Sequence, residues 1–289
     1  MSVTQANLLT DITRIIQDTS YDVSEQLTFL NQAIQEVAGH PSILLPDLEA
    51  EDDVTTSITN PYTALPTNYQ KNLFYVYNST LYWEVAIRAS LGDLLRRYQR
   101  QDQSGTITGV AVKGRFLHYQ RIASEAETLE LHYYRSPHDM ATYSASTITF
   151  AATAGTIADS ASGFGDFHVG QVIDVTGSVS NNSYFTINTA TSALLTVDET
   201  VVDESSGSEF TLKSRPDGIP EHLRKPLLVN HVCASIFSEI EEGVEGKKIN
   251  TAYHQAQFQS AMAQLLGFIG PEGRAPIGIA DELGLESYL

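Results

Sequence analysis

The chain has 289 residues, with 17 Lys and Arg against 35 Asp and Glu, a formal net charge of −18 and a pI near 4.7. Charged residues make up only 18%, below the roughly 25% of an average domain, so the acidity comes from scarce bases rather than from abundant charge. An independent, sequence-reading nucleic-acid binder is excluded, because it needs a basic footprint, and 42% apolar residues exclude a polyanionic disordered chain. No apolar run approaches the roughly 18 residues of a membrane span, and residues 1–14 predict no secretory signal. Cys233 is the single cysteine, so neither an intrachain disulfide nor a cysteine-cluster metal site can form.

Two helices are predicted first. Leu8, Leu9, Ile12, Ile15 and Ile16 recur at helical spacing in 6–17, and Leu27, Leu30, Ile34 and Val37 repeat it in 24–38, with Ser24 as the expected cap and Gly39 as the stop. From about Asp53 the period changes. Residues 72–77 and 80–87 are rich in Phe, Tyr, Val and Trp around Asn78-Ser79, a hairpin pattern. A short helix follows at 90–99, with Arg96 and Arg97 on it and Arg100 just after it. Strands are then predicted at 106–112, 115–119 and 127–134.

Between Ser136 and Leu212 there is no Lys or Arg, and 144–213 contain 22 Ser and Thr in short strand-like runs separated by Gly and Asn turns. This composition shift marks an inserted domain. Helix returns at Pro220, with Leu223, Leu227, Val232, Ile236 and Ile240 on one face and an irregularity expected at Pro226. A second helix is predicted over 248–267. The expected fold class is therefore α+β: a helical-bundle core with a small antiparallel sheet (1–143 and 214–268), an inserted small all-β barrel or sandwich (144–213), and an extended C-terminal docking tail (269–289).

Sequence motifs for chemistry are absent. The glycines near 163–165 and 243–246 lack phosphate-loop spacing. The eight histidines form no HExxH or other ligand pattern. Cys233, inside an apolar helical stretch, reads as a buried structural thiol. The chain is expected not to be an enzyme and to hold no cofactor or metal. Arg96, Arg97 and Arg100 are the one local basic cluster, suited to pairing with acids of this chain or of a neighbouring subunit, or to contact with DNA phosphates.

Four segments carry a family resemblance: Leu30-Asn-Gln-Ala-Ile-Gln-Glu-Val-Ala38, Tyr62-Thr-Ala-Leu65-Pro66-Thr-Asn-Tyr69, Leu129-Glu-Leu-His-Tyr133-Tyr134-Arg135-Ser-Pro137, and Asp217-Gly-Ile-Pro220-Glu-His-Leu223. In their order and spacing the chain resembles the tailed-bacteriophage head-to-tail adaptor, or head-completion, proteins over about 1–143 and 214–268. The 70-residue insert departs from the family pattern. The resemblance implies a structural virion protein at the capsid vertex or neck, assembled in the host cytoplasm. It would form a ring, generally of twelve copies, that extends the DNA channel below the portal protein and presents a surface to tail or nozzle proteins. The genome would pass without sequence-specific binding, and no membrane is involved. Ile277, Ile279, Leu283, Leu285 and Tyr288 in the tail are the expected docking residues for the portal or a neighbouring subunit. The alternative is a tail or neck attachment protein whose insert binds carbohydrate or a receptor.

Overall fold

Helical spacing puts Leu8, Leu9, Ile12 and Ile16 on one stripe. The computed structural model, which describes residues 3–241 and 248–269, buries that stripe along Gln5–Ile16. Each such side chain contributes about 1.5–3 kcal/mol of transfer free energy. Among the described residues, 39–136 form one compact unit and 3–38 with 137–268 form the other.

In the second of these units the helix Val23–Gly39 starts with a capping box. Asp22 Oδ1 accepts from Glu25 N–H at 2.9 Å while Glu25 Oε2 accepts from Asp22 N–H at 3.2 Å. Asp22 therefore does the work expected of Ser24. Asn31 on this helix exchanges two hydrogen bonds with the backbone of Met140, and Gln35 donates to the Pro137 carbonyl at 2.9 Å. The later helical stretch runs as Glu221–Arg224, a π-helical segment Lys225–Val229, and Asn230–Ile240. Pro226 has no N–H to donate, and its ring would collide with the carbonyl one turn back. The wider π turn accommodates both. Glu241 then caps the last helix, Ile249–Ile269, accepting from the N–H groups of Asn250 and Thr251 at 3.1 and 3.2 Å.

Residues 142–214 hold a seven-stranded antiparallel sheet. Its order is Thr142–Ala145, Phe210–Ser214, Val172–Thr176, Tyr184–Ala190, Leu194–Val197, Thr156–Asp159 and Ile148–Ala151. The two edge strands are consecutive in the chain, and every strand from Phe210–Ser214 to Ile148–Ala151 sends side chains into one cluster that includes Ile148, Phe150, Ile173, Phe185, Leu195 and Phe210. A flat sheet could not give all of them one core, so the sheet rolls upon itself. Gly177 sits at φ +87°, and a Cβ there would lie 2.5 Å from the Glu209 carbonyl oxygen, so this turn requires glycine.

The unit 39–136 is two sheets across one core. The first has the order Glu49–Thr55, Thr128–Arg135, Tyr69–Asn78 and Trp83–Glu84; the second has Tyr62–Ala64, Phe116–Tyr119, Gly109–Lys113 and Ala86–Ile87. Leu129, Leu131, Tyr133 and Val76 from the first meet Val110, Leu117 and Tyr119 from the second. Ser104–Gly105 and Ile122–Ala123 add a two-stranded parallel pair.

These observations overturn the expected α+β fold with a helical-bundle core and a small sheet. Among the described residues the protein is mostly β, with seventeen strands in four sheets, one of them seven-stranded, and no helical-bundle core. The reason is visible at Glu49–Thr55, where acids face solvent at alternate positions and Ala50, Asp52 and Val54 face the other way. With one large apolar residue, its period of two was not legible as hydrophobic alternation. The first helix, moreover, packs on the strand Phe210–Ser214 as well as on the Pro226 helix.

Candidate functional site

Period two puts Glu49, Glu51 and Asp53 on one exposed face of their edge strand. The register then sets Tyr134 opposite Glu49, His132 opposite Glu51 and Glu130 opposite Asp53. On the next strand Tyr75 stands opposite His132 and Tyr77 opposite Glu130. The result is a sheet face with four carboxylates, one imidazole and a row of aromatic rings. His132 Nε2 lies 2.8 Å from Glu130 Oε1. Its ring is held by Tyr75 at 5.2 Å, edge-on, and by Phe74 at 6.1 Å. Tyr134 donates its hydroxyl to Glu49 at 2.8 Å; burial, and then this carboxylate, push the phenol upward and keep it neutral. Asp53 and Glu130 are like charges directly across a strand pair, an unfavourable arrangement. Glu51, Glu130 and His132 each offer one ligand atom, and the three lie within 4.8 Å of one another.

Asp52 points the other way, into a cleft of about 420 Å³ that it shares with Val54, Leu65 and Asn68. There the hydroxyl of Tyr133 reaches both Asp52 and Asn68. Burial first, and Asp52 second, raise its pKa, so Tyr133 is a neutral donor that ties strand to loop.

Arg96 and Arg97 stand on the helix Leu91–Arg97, and Arg100 follows it; the helix is started by Ser90, whose Oγ accepts from Asp93 N–H at 3.1 Å. Arg96 and Arg97 occupy the last turn, where cations suit the helix dipole. Arg97 lies 3.9 Å from Asp93, and Arg100 grips Asp102 at 3.0 Å, both pairs in solvent. Exposed pairs of this kind contribute roughly 0–1 kcal/mol, so both arginines can be recruited elsewhere. Arg96 is exposed and has no ion pair among the described residues.

In the other unit a cleft of about 590 Å³ lies between Asn31 and Gln35 on one side and His138, Asp139, Asp166 and His168 on the other. The two imidazoles stack at 4.2 Å. Cys233 is buried, and burial pushes its thiol up to about 12, which leaves it without nucleophilic character at neutral pH. Ile277, Ile279, Leu283, Leu285 and Tyr288 lie outside the described residues.

The sequence singled out Arg96, Arg97 and Arg100 by their adjacency. It missed Glu51, Glu130 and His132. Glu130 and His132 two apart on a strand was the available signal; Glu51 joins them only through the register.

No family model and no curated protein matches the chain. Among solved structures, the flagellar hook junction protein FlgK from Burkholderia pseudomallei aligns at 10% identity and a TM-score of 0.12. The alignment covers 100% of this chain and 61% of that one, and a likeness of this size carries no argument about fold or function.

Proposed function

We propose that this protein is a structural subunit of a ring at the junction between a phage portal and its tail, where it extends the DNA channel and offers a surface to tail or nozzle proteins. The reading rests on the four resembling segments and on one structural observation: residues 39–136 carry an acidic sheet face (Glu49, Glu51, Asp53, Glu130) and an exposed arginine helix (Arg96, Arg97). A ring built from one chain needs two different, complementary surfaces, because each contact is head-to-tail and closes by rotation. Opposite charges on one unit supply such a pair, with Arg100 adding to the basic side. Acids outside that contact, drawn from the chain's net charge of −18 and turned toward a channel, would repel phosphates and let DNA slide without adhering. The tail residues Ile277, Ile279, Leu283, Leu285 and Tyr288 would dock on the portal or on a neighbour.

The test is the mass of the purified protein alone and with its portal, by mass photometry. The expected result is a monomer that becomes a stoichiometric ring on the portal. Failure to associate with the portal at any salt concentration would remove the proposal. Deletion of 271–289 is expected to abolish portal binding in a pull-down, and undiminished pull-down by the truncated protein would end the docking role of the tail.

A further inference from the structure

We infer that Glu51, Glu130 and His132 form a binding site for a borderline divalent transition-metal cation, of which Zn²⁺ is the probe of choice. The three ligand atoms lie within 4.8 Å of one another on one face of a paired strand. Small side-chain rotations bring such atoms to the roughly 2.0–2.2 Å that Zn²⁺ needs from imidazole nitrogen and carboxylate oxygen. The donor set selects the class of ion. One imidazole with two carboxylates suits Zn²⁺ and its first-row neighbours, whereas Ca²⁺ and Mg²⁺ take oxygen alone.

Three further features point the same way. The imidazole is already oriented, by the edge-on Tyr75 ring and by Phe74, so little freedom is lost when it binds. Side chains of both Glu130 and His132 are only 28% exposed, which raises the strength of their interaction with a cation. The face also brings like charges together, since Asp53 stands directly across from Glu130 and Glu49 lies on the same row. A cation here would offset that repulsion and cross-link the edge strand to its neighbour. The fourth coordination position is left for water or for a carboxylate from outside.

The experiment is equilibrium dialysis of the full chain against Zn²⁺, with bound metal counted by mass spectrometry, and Co²⁺ substitution followed by visible absorption. The expected result is one ion per chain and a Co²⁺ spectrum of low coordination number. Outer-shell changes alone cost about 10–100-fold in metal affinity, so His132→Ala and Glu51→Gln should each weaken binding by at least about tenfold. His118→Ala, on the other sheet of the same unit, should leave it unchanged. Glu51→Gln preserves the shape of an exposed strand residue, so it reports on binding even if His132→Ala disturbs folding. No saturable binding up to about 1 mM, or equal binding by wild type and Glu51→Gln, would overturn the assignment and leave only diffuse attraction to an acidic surface.

Discussion

Phe150 meets Phe210 edge-on, with ring centroids 5.4 Å apart, although their strands lie five places apart in the order of the seven-stranded sheet. The contact is direct because the sheet rolls, and a backbone pairing of Phe150 with Glu204 helps to hold the seam. Phe150→Ala should therefore cost more than an edge-strand position would suggest. The expected loss is about 3–5 kcal/mol, read as a fall in the denaturant midpoint.

Asp159 is a second structural anchor of that sheet. Its buried carboxylate accepts from the hydroxyls of Tyr143 and Thr147 and from the N–H groups of Ala161 and Gly163. Burial pushes its pKa up, but these bonds outweigh burial and the net shift is down. A depressed carboxylate adds stability above its unfolded pKa and loses it as pH falls through the folded value. Asp159→Asn should cost about 2–4 kcal/mol at neutral pH, since bonds to a charged group are worth about 1.5–3 kcal/mol each. The wild-type advantage should shrink toward pH 2 in a melting series. Gly163→Ala should have a similar effect, because a Cβ there would lie 2.0 Å from the Tyr143 ring.

His254, in the last helix, adds a pH dependence of the same direction but nearer neutrality. It is buried, stacks on Phe237 at 5.5 Å and pairs with Asn230 Oδ1 at 2.9 Å; burial lowers its pKa. The unfolded chain then binds the extra proton more readily than the folded one. Stability is full above about pH 6.5 and declines as pH falls below it. His254→Gln should flatten the melting temperature between pH 7.5 and pH 5.

Cys233 should resist a disulfide-exchange reagent in the native protein and react fully after denaturation, because its thiol is both buried and held protonated. Rapid native labelling would show that its helix opens readily.

For ring assembly the charges predict a biphasic salt response. Copies at −18 repel over distance, and that repulsion is screened beyond about 8 Å at 0.15 M salt, while contacts between the arginine helix and the acidic face are screened less. With the portal present, the fraction of protein in rings should rise from low salt to about 0.15 M and fall only at much higher salt. Arg96→Glu should lower it at every salt concentration, and a charge swap that adds Asp53→Lys should restore part of the loss. Mass photometry reads all of these, and an Arg96→Glu ring fraction equal to wild type would rule out this contact.

Local information in the sequence was enough for several elements. The helices Gln5–Ile16 and Val23–Gly39, the strand Thr128–Arg135 and the irregularity at Pro226 were all legible. Their signals are a 3.6-residue stripe, a period-two alternation and a missing N–H, each contained within a few residues. Arg96, Arg97 and Arg100 were legible for the same reason. The strand Glu49–Thr55 was not, because its alternation is of acids against small or polar residues rather than of apolar against polar.

Composition by itself determined the acidity, the scarcity of bases and the base-free stretch from Ser136 to Leu212. Tertiary structure alone decided that strands, rather than a helical bundle, build the cores. It also decided that Glu51 would stand beside His132 and Glu130. A strand register is set by pairing between segments roughly eighty residues apart, and a one-residue slip would turn Glu51 to the opposite face. No local pattern encodes that choice; the burial of Leu129, Leu131 and Tyr133 on the other side of the sheet makes it.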